Sequence, residues 1–282
     1  MQPTIVARVL TVVIALVCAI AGLALCAEGG FRLLRTYSTL DFSLSSIGIA
    51  LALQVAGALL FAAAALTGLW SSAGLLSCLV LGLAAFAFAA MPNVAIALFT
   101  SIEGLPLPWF SILFQGLPQF VLLTLGAAGV AMKLQRSVGK PRKGSGTAVG
   151  HVVGLLGSPL LIIGGLLVAA RGIEANYALV SRFGDGPADP RSVFLIVIGG
   201  VMLFGGVLFA RWSPHGLLLP ALALLVAAVI SFTPALAPVV LPIMLIPPVL
   251  LNGIALTGTL VGATIAAAAV RAKSRRVARH AS

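Results

Sequence analysis

Long apolar stretches alternate with short polar ones along almost the whole chain. A membrane-spanning helix needs about 20 predominantly apolar residues, and eight stretches of roughly that length are present. They cover Thr4–Ala27, Ser45–Leu69, Ser72–Ala90, Trp109–Met132, Val152–Ala170, Val193–Ala210, Leu217–Phe232 and Val249–Val270. The pattern predicts an all-α, polytopic membrane protein with about eight transmembrane helices.

The second half of the chain resembles the first. The motif WSxxGLL that begins at Trp70 recurs 142 residues later at Trp212. Three further identities have the same spacing: Pro92 with Pro234, Gly57 with Gly199, and Leu53 with Leu195. Each half contains an even number of apolar stretches, so both halves have the same orientation. We therefore expect two parallel four-helix repeats, related by an axis along the membrane normal.

Composition and charge place most of the chain in lipid and set its orientation. Hydrophobic residues make up 61% of the 282 residues and charged residues only 8%, whereas soluble domains contain about 25% charged residues. With the N-terminus inside, 12 of the 17 basic residues lie on the inner side and all six acids outside. This is the distribution that the positive-inside rule predicts, so the net charge of +11 indicates topology and not nucleic-acid binding.

The same pattern gives the domain boundaries. We expect a first membrane repeat over residues 1–132, a basic cytoplasmic linker over 133–149, a second repeat over 150–270 and a basic cytoplasmic tail over 271–282. The start of the chain could be read as a signal peptide, but Val9–Ala27 is long for a signal core and Leu25 suits a cleavage site poorly. We therefore interpret it as the first span.

Groups that could support catalysis are scarce. The spans contain no Asp, Glu, Lys or Arg at mid-membrane depth. The histidines His151, His215 and His280 have no partner at metal-ligand spacing, and neither do the three cysteines. We predict a protein that is not an enzyme, with no cofactor and no metal site.

A few amide side chains within the spans are candidates for a substrate pathway: Gln54, Gln115, Gln119 and Asn252. Gln115 and Gln119 are four residues apart and would share a helix face. Pro118 between them predicts a kink, beside which two amides could line a polar cavity. The alternative is that these amides form structural hydrogen bonds between helices.

Two apolar outer segments are interrupted by prolines at corresponding places in the halves. Met91–Pro108 carries Glu103, the single acid between the third and fourth stretches, and Thr233–Pro248 contains five prolines. Broken apolar segments at matching positions in two repeats are typical of a transporter binding site. The alternative is that both segments are caps at the outer membrane interface. Because Glu103 lies in the first segment, we include it among the candidate pathway residues.

Two other features leave alternatives open. Charged residues lie where the first and fifth helices leave the membrane: Glu28, Arg32 and Arg35 at the first, and Arg171 and Glu174 at the fifth. They could form an outer gate or anchor the helices at the membrane interface. The glycine pair Gly258-xxx-Gly262 predicts close helix packing, either within the chain or between two copies.

The sequence favours a small transporter or permease for a neutral or lipid-like substrate, because no fixed charge in the spans awaits an ion. The alternative is a non-catalytic membrane subunit or scaffold of a larger complex. The expected partners are the lipid bilayer and either a second copy or a membrane complex, with no nucleic acid. The abundance of Ala, Gly, Leu and Arg favours a bacterial cell membrane, with both termini cytoplasmic.

Overall fold

The structure is a computed structural model of the chain. It describes residues 4–39, 43–91, 93–94, 97–98, 101–102, 116–137, 145–181, 189–233 and 247–280. Within these ranges the regular structure is helical and there is no strand. Eight helices in the described ranges are long and apolar enough to cross a membrane, which confirms the prediction of an all-α, multi-pass membrane protein.

The helices are numbered in chain order. They are α1 (Ile5–Thr39), α2 (Leu44–Leu66), α3 (Ala73–Ala90), α4 (Leu117–Ser137), α5 (Ser145–Ser181), α6 (Pro190–Leu208), α7 (Leu218–Ser231) and α8 (Pro247–His280). Short 3₁₀ helices lie at Thr67–Leu69, Phe209–Arg211 and Pro214–Leu217. In lipid every backbone polar group must find an internal partner, which is why the apolar stretches form helices.

Several helices extend beyond their predicted ends. Residues 28–44 and 171–192 were expected to be outer loops, but α1 continues to Thr39 and α5 to Ser181. In α1 the extension buries Leu33 and Thr36 and carries an ion pair of 2.6 Å between Glu28 and Arg32, one turn apart. Helical structure also enters the segments predicted as linker and tail, because α4 continues to residue 137, α5 begins at 145 and α8 includes residues up to 280.

The proline for which a kink was predicted, Pro118, does not lie in the interior of a described helix. Pro118 is the second residue of α4, where a proline fits because first-turn N–H groups have no intrahelical acceptor. Gly116 precedes the helix with φ +80°, a left-handed conformation that favours glycine. A proline does lie inside a helix elsewhere, at Pro159 of α5.

In each half the second and third helices are joined by the same kind of tight turn. In both turns a 3₁₀ helix leads to a tryptophan, and the backbone angles agree: φ −91°, ψ −50° at Trp70 and φ −93°, ψ −42° at Trp212. The Trp70 N–H donates to the Thr67 carbonyl at 3.1 Å, and the Trp212 N–H donates to the Phe209 carbonyl at 2.9 Å. The WSxxGLL motif thus forms a similar tight turn at both of its occurrences.

Glycines allow the first two helices of each half to approach closely. A Cβ atom at Gly57 would lie 2.8 Å from the Gly22 carbonyl oxygen, and one at Gly199 would lie 2.6 Å from the Gly165 carbonyl oxygen. Neither position could carry a larger residue without moving a backbone, so the helix pairs depend on these glycines.

The centre of the bundle is formed by α4 and α8, which contact each other. α4 also packs on α3 and α6, while α8 packs on α7 and α2. α8 lies parallel to α2: a Cβ at Gly258 would be 2.8 Å from the Ala58 carbonyl carbon, and one at Gly262 would be 2.7 Å from Ala62 Cα. The glycine pair of α8 is therefore covered within the chain.

The two ends of the bundle differ in charge. The end that carries Arg8, Arg136, Arg211 and Arg271 is called the basic end below. The acids in the described ranges, Glu28, Glu174 and Asp189, lie towards the opposite end.

Candidate functional site

A groove of about 330 Å³ opens between α2 and α7, in the half of the bundle away from the basic end. Its lining is apolar apart from one threonine, and consists of Ile47, Leu51, Val55, Leu225, Val229, Phe232, Thr233 and Ile254. Its walls are surfaces of membrane-spanning helices, so the surrounding solvent is lipid. The groove can therefore receive an apolar chain from the bilayer.

Contacts around the groove hold its walls in place. Ile254 of α8 packs with Ala58 of α2 and Ala228 of α7. At the end away from the basic end, the Tyr37 hydroxyl of α1 donates a hydrogen bond to the Ser231 carbonyl of α7. The groove thus lies among helices of both halves, with α8 behind it and α1 across its end.

The corresponding junction on the other side of the bundle, between α3 and α6, is filled by an aromatic side chain. A Cβ at Gly200 of α6 would lie 2.9 Å from Phe86 Cε1, so the ring of Phe86 rests on the glycine. Phe86 also meets Phe120 edge to face, with the ring centroids 6.4 Å apart. At the 142-residue spacing, Phe86 corresponds to Ala228 and Gly200 to Ala58, so an alanine stands in the groove junction where the other junction has a phenylalanine.

Gln54 is the predicted pathway residue with the most unusual surroundings. Its side chain is fully buried, and neither its Oε1 nor its Nε2 has a hydrogen-bond partner among the described residues. It immediately precedes the groove residue Val55, and its Cγ lies 2.8 Å from where a Cβ would stand on Gly29 of α1. Leaving a buried amide unsatisfied costs about 1–3 kcal/mol, and such a group in a folded protein calls for an explanation.

The same position in the second half is apolar. At the 142-residue spacing Gln54 corresponds to Ile196, which is also fully buried. Ile196 Cγ1 lies 2.7 Å from where a Cβ would stand on Gly172, much as Gln54 approaches Gly29. Helix packing at this place therefore does not require an amide.

The other predicted pathway residues have varied positions. Gln119 lies buried in the first turn of α4 and Asn252 lies buried near the start of α8. Glu103 and Gln115, with most of both proline-rich segments, lie outside the described residues. The three predicted pathway residues within the described ranges, Gln54, Gln119 and Asn252, belong to α2, α4 and α8. Each lies in the half of its helix away from the basic end.

Sequence reasoning missed Asn176, Gly116 and Phe86. Asn176 is buried in α5 and donates to the Ala89 carbonyl of α3 at 2.8 Å, which ties two helices of different halves together. It was placed in a loop because the polar residues around it ended the apolar stretch. Gly116 and Phe86 gave no signal in a sequence rich in glycine and apolar residues.

Charged pairs at the helix exits do not form a gate in the described part of the chain. Glu28 pairs with Arg32 within α1, and Arg171 pairs with Glu174 within α5 at 3.9 Å. Both pairs are partly exposed and link residues one turn apart on a single helix. Exposed pairs of this kind contribute little stability. Neither pair connects one helix to another, as a gate would require.

The described ranges contain no group of three or more His, Cys, Asp or Glu side chains that could hold a metal ion. Asp189 serves as the N-cap of α6, where its side chain accepts the Arg191 N–H at 3.2 Å. Comparison with known proteins identifies no relative: no family model, no curated protein and no solved structure matches the chain.

Proposed function

We propose that this chain is a small transporter or permease for a neutral or lipid-like substrate, with a pathway that begins at the groove between α2 and α7. The observation that carries the proposal is the difference between two corresponding junctions. Phe86 fills the junction between α3 and α6, while the junction between α2 and α7 is an open groove. Gln54, the residue before Val55 of the groove wall, is a buried amide that packs on Gly29 of α1.

The proposal includes two parallel four-helix repeats, and matching contacts support them. α1 packs on α2 as α5 packs on α6, and α8 packs on α2 as α4 packs on α6. The last helix of each half also reaches the turn of its own half: Arg136 donates to the Gly68 carbonyl and Arg271 donates to the Trp212 carbonyl. Repeats of this kind are the common plan of transporters, with the substrate site at the repeat interface.

The chemistry of the groove supports the substrate class. No charged side chain lines it, and an ion would lose its hydration there without compensation. An apolar chain would replace lipid contacts by protein contacts along the groove wall. The protein would then act without catalysis, in the cell membrane, with its termini on the cytoplasmic side.

Groove filling tests this proposal. Val55 of the groove is 42% exposed, and its counterpart Val197 in the other half is 53% exposed, so both positions accept a larger side chain. We expect purified wild-type chain in vesicles to accelerate exchange between leaflets of a fluorescent phosphatidylcholine, measured by dithionite quenching. Val55→Trp should bring the rate close to that of empty vesicles, while the matched control Val197→Trp should leave it near that of wild type.

Two results would contradict the proposal. A wild-type rate equal to that of empty vesicles would exclude this lipid-like cargo, and equal rates for the two variants would exclude the groove as the pathway. Retention of phosphatidylcholine by the purified chain, counted by native mass spectrometry, separates loss of binding from loss of movement. Val55→Trp should retain less of this lipid than Val197→Trp.

One observation bears on the alternative that the chain is a scaffold or subunit of a larger complex. The small-residue face formed by Gly258 and Gly262 was available in the sequence for a partner, but it is occupied by Ala58 and Ala62 of the same chain. The alternative is tested by gentle purification from native membranes, because a stoichiometric partner would make the chain a subunit.

A further inference from the structure

A cluster of basic side chains surrounds Trp212 at the basic end. The guanidinium of Arg211 lies over the indole ring of Trp212, with its Cζ 4.3 Å from the ring centroid. Arg271 of α8 donates to the Trp212 carbonyl, and its second amino group lies 2.9 Å from His151 Nε2 of α5. Two arginines thus contact Trp212, and one of them, Arg271, also contacts His151.

The hydrogen bonds fix the form of the histidine. A guanidinium only donates, so Nε2 of His151 accepts and the ring proton lies on Nδ1. The imidazole is therefore neutral in this arrangement, and the permanent charge of the cluster comes from Arg211 and Arg271.

The described acids Glu28, Glu174 and Asp189 all lie in the half of the bundle opposite to this cluster. Neither ion pair of the described residues includes Arg211. An anion beside the Arg211 guanidinium would be attracted by its charge.

The surroundings of the cluster are those of a membrane interface. Trp212 is 37% exposed, and tryptophan is enriched at the headgroup level. A Cβ at Gly150 of α5 would lie 3.5 Å from Trp212 Cδ1, and the neighbouring Val149 and Val152 are exposed apolar residues. A ligand here meets a positive group and an apolar helix surface together, which matches a phosphate head joined to acyl chains.

We propose that the cluster of His151, Arg211, Trp212 and Arg271 binds the headgroup of an anionic phospholipid. The basic pocket between helix ends would hold the phosphate, and the exposed valines of α5 would contact the acyl chains. The first half offers an internal comparison, because Leu69 precedes Trp70 where Arg211 precedes Trp212. Trp70 is also more exposed, at 65%, so we place the site in the second half.

The test compares two charge-removing variants of the full chain. Arg211→Gln removes the stacked guanidinium, while Arg8→Gln removes an equal charge from an exposed residue of the same end. The chain in detergent is titrated with phosphatidylglycerol or with phosphatidylcholine at physiological salt, followed by the unfolding temperature and by bound lipid in native mass spectrometry. We expect phosphatidylglycerol to stabilise wild type, Arg211→Gln to weaken its binding about tenfold, and Arg8→Gln to change it less than twofold.

Several outcomes would overturn the proposal. Equal weakening by the two variants would mean diffuse attraction to the basic end, and equal stabilisation by phosphatidylcholine would mean no selection for an anionic headgroup. Stabilisation of the same size by inorganic phosphate alone would assign the cluster to a soluble anion. The proposal is independent of transport, because none of its residues lines the groove.

Discussion

The substitution Gln54→Ile separates a role of the amide in function from a role in stability. Isoleucine is the residue at the corresponding place in the second half, Ile196, where it is fully buried. The side chains at both positions approach a glycine of the preceding helix at a similar distance, 2.8 Å at Gly29 and 2.7 Å at Gly172. The change therefore introduces a residue that this type of helix contact already accommodates.

The expected size of the effect follows from the burial of the amide. Gln54 is fully buried, and both its polar atoms lack a partner among the described residues, which costs about 1–3 kcal/mol. Replacement by an apolar residue of similar size costs less than about 1.5 kcal/mol in repacking. We expect a net gain of about 1 kcal/mol, which raises the unfolding temperature of a chain of this size by roughly 2–4 °C.

Thermal unfolding in detergent, followed by circular dichroism, measures this gain, and lipid exchange in vesicles measures the function. We expect Gln54→Ile to be more stable than wild type and slower in exchange. Asn176→Leu is the control, because Asn176 donates to the Ala89 carbonyl at 2.8 Å and its loss should lower stability. If Gln54→Ile lowers stability as Asn176→Leu does, the amide serves the fold and the reasoning is refuted.

Two further predictions concern Phe86 and Gly116. Phe86→Ala should lose about 0.5–1.5 kcal/mol from the edge-to-face pair with Phe120 and open a second groove, so native mass spectrometry should count more retained phosphatidylcholine. An unchanged lipid count would contradict the correspondence of the two junctions. Gly116→Ala should lower the unfolding temperature, because φ +80° costs a residue with a Cβ about 1–2 kcal/mol. Gly205→Ala, where a Cβ would meet nothing within 4 Å, should change stability by less than about 1 kcal/mol, and equal effects would argue against backbone strain at Gly116.

The helices were predictable because lipid leaves the backbone few choices. An apolar stretch of about 20 residues must satisfy its own N–H and C=O groups, and each of the eight stretches contains such a helix. The ends of α1 and α5 were not predictable from hydropathy, because residues beyond the apolar stretches make contacts that are distant in sequence. The hydrogen bond from Tyr37 to Ser231 is one such contact.

The candidate site was predictable only in part. Gln54 stood out as a polar residue in a span, and its burial agrees with a place inside the bundle. The comparison of the two junctions depends on one pair of residues 142 positions apart, Phe86 and Ala228. The difference in size between Phe86 and Ala228 can be interpreted only when the packing partners of the helices are known, α7 opposite α2 and α3 opposite α6. The periodicity of the sequence does not predict those partners.

The two proposed lipid contacts lie at opposite ends of the bundle and differ in charge. The groove contains no charged side chain and opens away from the basic end, whereas Arg211 and Arg271 lie at that end. An anionic headgroup that left the arginines at Trp212 for the apolar groove would lose both its hydration and its counter-charges. The anionic lipid is then expected to stay as a bound component of the protein, while exchange through the groove is restricted to lipids without net charge. Exchange of phosphatidylglycerol as fast as that of phosphatidylcholine would contradict this division.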